Sequence, residues 1–262
     1  MKKKAQGRDT DREAARPGAP AAGSNLAGHA LYLDIDGTVL DIAETPDATE
    51  VPDFVVPLLA QLGRKVDGAI AFVSGRPIAA IDTLFRPLKL AAVGVHGGEI
   101  RMPDGQLIAD QRLSSQLQAV EPLLQRAMQQ IPGAALENKQ CVIALHYRRA
   151  PQRGREVLNA AELVVGSLGS EFALSLGKCV VEIRARHLTK GAGLRQLMEQ
   201  PPFRGRVPIF AGDDTSDEDA FEVVNRLGGI SVRVGEVGPT AARYRLADPQ
   251  QLRGWLLEMA QS

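Results

Sequence analysis

The chain has 262 residues, of which 44% are hydrophobic and 24% charged, and its 31 Lys and Arg residues balance 31 Asp and Glu residues. This size and composition fit one large soluble domain or two smaller ones. The formal net charge of zero provides no broad basic surface for nucleic acid or an anionic membrane, so an anionic ligand would need a local cluster of positive groups.

No apolar stretch reaches the roughly 18–20 residues that span a bilayer, and the MKKK start continues with polar residues instead of a signal-peptide core. We therefore expect a cytoplasmic chain with no membrane partner. Cys141 and Cys179 lie in apolar runs without zinc-site spacing, which predicts two reduced thiols. Because no coiled-coil heptad is present, a monomer is expected.

Residues 1–28 combine Ala, Gly, Pro and charged residues without hydrophobic periodicity, which predicts a disordered tail. Apolar runs then alternate with helical periodicity, in the order strand 30–33, helix 51–65, strand 69–73, helix 77–85 and strand 90–95. Apolar strands separated by helices predict a doubly wound parallel sheet, an α/β architecture of Rossmann-like type. The turn residues Pro103-Asp104-Gly105 predict a hairpin over 99–110.

The middle of the chain has a different pattern. Its predicted elements are a helix at 112–131, strands at 134–138 and 141–148, a helix at 152–167, and strands at 171–176 and 179–184. Helix–strand–strand occurring twice predicts a small antiparallel α+β module. The first pattern then resumes with helix 189–199, strand 207–211, helix 216–226, strand 229–234 and helix 249–260. The sequence thus predicts a catalytic core over 29–111 and 186–262 with an inserted α+β cap domain over 112–185.

Two carboxylates follow the first predicted strand of the core, in the run Asp34-Ile35-Asp36-Gly37-Thr38. Acids at this position lie where parallel α/β sheets bind ligands, and they repel each other unless a hard cation lies between them. One Asp could attack a phosphorus atom while the other acts as acid and then base, and Thr38 offers a hydroxyl and an amide to a phosphate. The alternative is that both acids only cap a turn.

Three further segments are predicted at the ends of neighbouring strands or the starts of the following helices. Ser74-Gly75-Arg76 offers a hydroxyl and backbone amides to phosphate oxygens, and the Lys190 ammonium could neutralise a nucleophilic aspartate. The run Gly212 to Glu218 supplies oxygen ligands suited to Mg²⁺, although Asp217 and Glu218 are equally typical of the first turn of a helix. Such positions converge on one crevice.

In this order the sequence resembles the haloacid dehalogenase superfamily of phosphatases, whose four motifs correspond to DIDGT (34–38), Ser74, Lys190 and GDDTSDE (212–218). The resemblance implies Asp34 as nucleophile, Asp36 as general acid and base, and Lys190 as a further catalytic residue. It also implies an aspartyl-phosphate intermediate that water hydrolyses. It implies that Ser74 and Lys190 bind the phosphoryl group, and the motifs themselves add Thr38, Gly75 and Arg76 as expected substrate contacts. The implied Mg²⁺ ligands are Asp34, the Asp36 carbonyl and Asp213, with Asp214 in or beside that shell.

Other stretches resemble the trehalose-6-phosphate phosphatases within that superfamily. They are SGRP (74–77), GVHGGEIR (94–101), ENK (137–139), the LHYR run ending at Arg148, and GKCVVEIR (177–184). The resemblance implies that cap residues bind the sugar hydroxyls, namely Glu137, Lys139, Arg148, Lys178 and Glu182. His96 is expected to bond to the substrate or to backbone. A solvated polar face of the cap sheet is the alternative for these residues.

The resemblance implies Mg²⁺-dependent hydrolysis of trehalose 6-phosphate to trehalose and phosphate, a step of trehalose biosynthesis. The expected partner is this small-molecule substrate, with no nucleic acid and no membrane. Two alternatives stay open. One is a phosphatase for another sugar phosphate, such as sucrose 6-phosphate or mannosyl-3-phosphoglycerate. The other is a non-catalytic sensor of sugar phosphate.

Overall fold

The computed structural model describes residues 16–18, 20, 26–43, 48–177, 179–235 and 238–262. The strands, in chain order, are β1 Arg16–Pro17, β2 His29–Leu33, β3 Ile70–Val73, β4 Ala91–Gly94, β5 Glu99–Arg101, β6 Leu107–Ala109, β7 Ala135–Asn138, β8 Val142–His146, β9 Phe172–Gly177, β10 Val180–Ala185, β11 Val207–Gly212, β12 Ile230–Val234 and β13 Tyr244–Leu246. The helices are α1 Val55–Lys65, α2 Ile78–Leu84, α3 Gln111–Gln129, α4 Gly154–Leu168, α5 Lys190–Met198, α6 Glu218–Arg226 and α7 Pro249–Gln261. None of the helices in this part of the chain is long and apolar enough to cross a bilayer.

Among the described residues, nine strands form the larger sheet, in the order β1-β13-β12-β11-β2-β3-β4-β5-β6. The strands from β1 to β4 in this order pair in parallel, and the β5–β6 hairpin continues the sheet antiparallel to β4. The chain passes from the central strand β2 to β3 on one side of it, and from the neighbouring central strand β11 to β12 on the opposite side. Because parallel crossovers are right-handed, α1 and α6 cover opposite faces. The predicted doubly wound sheet is confirmed.

The adjacent strands β2 and β11 mark the point where the strand order reverses. In open α/β sheets, ligands bind in the crevice beyond the carboxyl ends of the strands at this point, because the connections that follow diverge to opposite faces. Both strands end directly before clusters of acidic residues, Asp34 after β2 and Asp213 after β11. The fold therefore brings the two acidic motifs together.

A second sheet, ordered β7-β8-β10-β9 and antiparallel throughout, lies between β6 and α5 in the chain. Together with α3 and α4 it forms a hydrophobic cluster of its own, which includes Leu117, Leu145, Val157 and Phe172. Asp110 begins α3 by accepting hydrogen bonds from the backbone N–H groups of Arg112 and Leu113. The module therefore has a core separate from that of the large sheet.

The structure describes only some residues of the predicted disordered tail 1–28, namely 16–18, 20 and 26–28. Arg16–Pro17 pair in parallel with β13, which the sequence pattern also missed, and the Pro20 carbonyl accepts a hydrogen bond of 3.1 Å from Trp255 Nε1. Short strands such as β1, at the edge of the sheet, and β13, beside it, are held by backbone pairing and need no apolar pattern of their own. Residues 1–15, 19 and 21–25 of the predicted tail lie outside the described residues.

Candidate active site

The two acidic motifs are in direct contact at the reversal point. The Asp34 N–H donates a hydrogen bond of 3.0 Å to the Ala211 carbonyl. Gly37 has φ +78°, and a Cβ at this position would lie 2.1 Å from Asp213 Oδ2. Glycine is needed here both for the left-handed backbone and for the close approach of the aspartate. Thr38 Oγ1 lies 3.2 Å from Asp34 Oδ2 and 3.4 Å from Asp213 Oδ1, between the two carboxylates.

The Lys190 ammonium lies between two buried carboxylates. Its Nζ is 3.0 Å from Asp34 Oδ1 and 2.7 Å from Asp217 Oδ1, with at most 6% of any of these three side chains exposed. Lys190 is the first residue of α5, which Thr189 caps by accepting a hydrogen bond from the Ala192 N–H. Burial would lower the pKa of Lys190, but the surrounding carboxylates raise it well above its usual value. Lys190 is therefore a fixed positive charge next to Asp34.

Asp217 holds the second acidic loop together. Its Oδ2 accepts hydrogen bonds of 3.0 Å from the N–H groups of both Asp213 and Asp214, while Oδ1 bonds to Lys190. The sequence pattern also allowed a simple first-turn residue at this position. The density of acids in the run Gly212 to Glu218 indicated a site at this position. The pattern does not show which of these acids faces Lys190.

Asp34 and Asp213 have strongly perturbed acidities. Burial, assisted by the neighbouring acids and opposed by Lys190, raises the pKa of each carboxyl to about 7. Close carboxylates of this kind are stabilised in their charged form by a cation between them. Oxygen atoms of Asp34, Asp213 and Asp217 lie within 4.8 Å of one another.

This donor set fits a hard divalent cation such as Mg²⁺, which takes carboxylate oxygens. Because Asp217 already accepts three hydrogen bonds, Asp34 and Asp213 are the better candidates for direct ligands. Asp214 instead caps the following turn, with Oδ1 accepting a 2.6 Å hydrogen bond from the Ser216 N–H. Metal binding by Asp214 and by the Asp36 carbonyl stays a prediction.

Asp36 forms a two-point ion pair with Arg76. Arg76 Nε lies 2.6 Å from Asp36 Oδ2 and Nη2 lies 2.7 Å from Oδ1, and Nη2 also donates to Thr49 Oγ1 at 2.7 Å. The Arg76 N–H lies 3.2 Å from Ser74 Oγ. The sequence predicts that Ser74-Gly75-Arg76 binds phosphate through a hydroxyl and backbone amides, whereas a phosphate contact from the Arg76 guanidinium would require its pair with Asp36 to open. No sequence pattern singled out Thr49.

On the cap side, Glu182 is buried between His96 and Lys139. One carboxylate oxygen lies 3.4 Å from Nε2 of His96, a residue of the large sheet's domain, and the other lies 3.3 Å from Lys139 Nζ. Burial would raise the pKa of Glu182, but His96 and Lys139 hold it down, at about 2. Glu137 extends the cluster, with Oε2 at 2.9 Å from His146 Nε2 and 3.9 Å from Lys139 Nζ. The structure therefore groups three of the predicted cap residues.

The turn that carries His96 is strained and closely packed. Val95 and His96 have φ angles of +48° and +53°, which are rare for side-chain-bearing residues and rarest for a β-branched one. A Cβ on Gly75 would lie 2.4 Å from His96 Nε2, so glycine there makes room for the ring. His96 N–H also donates to the Ser74 carbonyl at 3.1 Å. The predicted phosphate loop and the cap are thus joined through His96.

Two further predicted cap residues are Arg148 and Lys178. Arg148 is exposed and lies two residues beyond the end of β8, the strand that carries His146. Lys178 lies outside the described residues. The roles of both as sugar contacts stay predictions.

A family model described as trehalose-phosphatase matches residues 32–250 of the chain. Over 230 residues the chain is 40% identical to the trehalose-6-phosphate phosphatase of Escherichia coli K12, covering 88% of this chain and 86% of that protein. It is also 40% identical over 247 residues to a probable trehalose-phosphate phosphatase of Sinorhizobium fredii, covering 92% and 91%. The chain belongs to the trehalose-phosphatase family.

Solved structures with low sequence identity to this chain share its fold. The C-terminal domain of Candida albicans trehalose-6-phosphate phosphatase superposes with a TM-score of 0.77 at 21% identity, covering 90% of this chain and 92% of that one. A phosphatase of the haloalkanoate (HAD) superfamily from Bacteroides thetaiotaomicron has a TM-score of 0.58 at 16% identity, covering 90% and 95%. The predicted fold class and the predicted trehalose-phosphatase enzyme are confirmed.

Proposed function

We propose that this chain hydrolyses trehalose 6-phosphate to trehalose and phosphate, with Mg²⁺ bound and an aspartyl-phosphate intermediate on Asp34. The observation that carries the proposal is the buried Lys190 ammonium bonded to Asp34 and Asp217 in a chain of the trehalose-phosphatase family. The proposed substrate follows from the relatives named as trehalose-6-phosphate phosphatases. The proposed chemistry follows from the site.

In the first step, a carboxylate oxygen of Asp34 attacks phosphorus and the bond from phosphorus to the sugar oxygen breaks. Asp36 donates a proton to the departing sugar oxygen. Lys190 lies against Asp34, where its positive charge can stabilise the negative charge of the transferring phosphoryl group. Thr38 lies within reach of the same carboxylate and can orient it. A bound Mg²⁺, held by Asp34 and Asp213, would supply further neutralisation of phosphoryl charge.

In the second step, Asp36 takes a proton from a water molecule, and the water oxygen attacks the phosphorus of the intermediate. The bond between phosphorus and Asp34 breaks, Asp34 regains its carboxylate and phosphate leaves. Asp36 must therefore turn from its pair with Arg76 to reach the reacting oxygens. Its partial exposure, 37% of the side chain, leaves room for that movement.

The cap supplies groups suited to a disaccharide. Hydroxyl groups form strong hydrogen bonds to charged carboxylates and ammonium groups, and Glu182, Lys139 and Glu137 offer both kinds in one cluster. Because His96 links Glu182 to the loop of Ser74, a sugar bound at this cluster would lie on the route to the phosphoryl site. We propose that these residues decide which sugar phosphate is accepted.

Phosphate release across a panel of sugar phosphates tests the substrate and the metal together. We expect strong preference for trehalose 6-phosphate over sucrose 6-phosphate and mannosyl-3-phosphoglycerate, loss of activity with EDTA, and recovery when Mg²⁺ is restored. Equal activity on the other sugar phosphates would overturn the substrate but keep the chemistry. No activity on any of them would favour the sensor.

The Glu182→Gln variant tests the role of the cap. Removing the charge weakens the bonds to sugar hydroxyls, His96 and Lys139, so kcat/KM for trehalose 6-phosphate is expected to fall about 10–100-fold. Hydrolysis of p-nitrophenyl phosphate, which has no sugar, is expected to change less than about twofold. Glu162→Gln, an exposed position on α4, is the matched control. An equal loss on both substrates would show that Glu182 acts on the chemistry and not on sugar selection.

A further inference from the structure

The Thr49 hydroxyl has a defined contact that none of the motifs explains. Thr49 lies in the segment before α1, outside all four phosphatase motifs, and is partly buried. Its Oγ1 accepts a 2.7 Å hydrogen bond from Arg76 Nη2, the same nitrogen that bonds to Asp36 Oδ1 at 2.7 Å. One guanidinium nitrogen therefore bridges Thr49 and the proposed general acid.

Arg76 is held on several sides. Only 12% of its side chain is exposed. Its backbone N–H lies 3.2 Å from Ser74 Oγ, and its carbonyl accepts a 3.0 Å hydrogen bond from the Val95 N–H. With the backbone fixed, the position of the guanidinium depends on the groups at its far end, which include Asp36 and Thr49.

The proposed reaction requires Asp36 to release part of this pair. Both of its carboxylate oxygens accept hydrogen bonds from Arg76, so neither is directed to a leaving group. Once one oxygen turns toward the substrate, Nη2 loses one partner and keeps Thr49. The hydroxyl can then hold Arg76 in place, so that the remaining Nε bond still orients Asp36.

We propose that Thr49 is a positioning residue for proton transfer: through Arg76, its hydroxyl orients Asp36 toward the leaving oxygen. The inference rests on the proposed role of Asp36 as general acid. It differs from the reading in which Arg76 binds the substrate phosphate. A phosphate-binding guanidinium would matter equally for every phosphate ester, whereas orientation of the acid matters only when the leaving group needs a proton.

The leaving group therefore distinguishes the two roles. A sugar alkoxide is a poor leaving group that requires a proton, while p-nitrophenolate departs without one. The ratio kcat/KM reports on the steps up to phosphoryl transfer, which include departure of the leaving group but not the later attack of water. Comparing this ratio for the two substrates isolates the contribution of the acid.

The test uses the full chain with Mg²⁺ and the variants Thr49→Val and Thr49→Ser. We expect Thr49→Val, which keeps the shape but removes the acceptor, to lower kcat/KM for trehalose 6-phosphate about tenfold and for p-nitrophenyl phosphate less than about twofold. Thr49→Ser, which keeps a hydroxyl, should return both values to within about twofold of wild type. Thr83→Val, at an exposed helical threonine, is the control for loss of a hydroxyl elsewhere.

An equal fall on both substrates would overturn the inference in favour of phosphate binding. An unchanged kcat/KM for Thr49→Val on the sugar ester would also overturn it, because the hydroxyl would then have no role in proton transfer. If the wild-type chain prefers a different sugar phosphate, the proposed substrate fails, and the same comparison with that ester still decides the role of Thr49. The two failures are therefore distinguishable.

Discussion

The Asp34→Asn variant is expected to lose about 10³-fold or more of its phosphate release, because an amide cannot act as the nucleophile. The fold is expected to persist. Burial and neighbouring acids already disfavour the charged form of Asp34, so a neutral amide of the same shape should change the free energy of unfolding by less than about 1 kcal/mol. Steady-state phosphate release and urea unfolding measure the two quantities.

A direct measurement accompanies this variant. Acid quenching of the working enzyme with radiolabelled substrate should trap label on wild-type protein as an acyl phosphate, and none on Asp34→Asn. Asp53→Asn, an exposed aspartate before α1, serves as the control and should behave as wild type. Label retained by Asp34→Asn, or more than about 1% of wild-type activity, would place the nucleophile elsewhere.

The Lys190→Met variant is expected to lose both activity and stability. Removing the ammonium leaves Asp34 and Asp217 buried without their common cation, and breaking a buried ion pair in this way costs about 3–5 kcal/mol. The proposed stabilisation of phosphoryl charge is lost as well, so phosphate release should fall about 10³-fold or more even in the fraction that stays folded. Urea unfolding without metal, together with activity at saturating Mg²⁺, separates the two effects.

Lys89→Met is the matched control for this loss of charge. Lys89 is 74% exposed and lies 4.0 Å from Asp82, so its removal should change stability by less than about 0.5 kcal/mol. If Lys190→Met unfolded at the same urea concentration as wild type, the carboxylates around Lys190 would have to be neutral in the folded protein. The assignment of Lys190 as a fixed charge would then be wrong.

The proposed metal and Lys190 would neutralise the same group of acids by different means. Asp34 and Asp213 repel each other in a buried setting, and Lys190 compensates only part of that charge. Under the proposed mechanism, in which Mg²⁺ binds beside Lys190, negative phosphoryl groups would be stabilised only when the metal is present. This explains in physical terms why a chain of zero net charge can bind and cleave a phosphate ester.

Much of the architecture could be predicted from the sequence because it depends on local patterns. Apolar strands and helical periodicity identified the alternation of elements, and the acids after β2 and β11 were visible as motifs. The antiparallel cap followed from a change in the same periodicities between 112 and 185. Strands β1 and β13 were missed since backbone pairing with neighbours holds them, and their own residues carry no pattern.

The sequence by itself determined which chemical groups are present at the ends of which strands, and thereby the α/β class and the acid, serine and lysine motifs. Only the tertiary structure decided the partners of those groups. Lys190 bonds to Asp217 as well as Asp34, Arg76 bonds to Asp36 and Thr49, and His96 reaches Glu182 of the cap. Each of these contacts joins residues far apart in the chain, where side-chain direction depends on the packing of whole elements and not on spacing along the sequence.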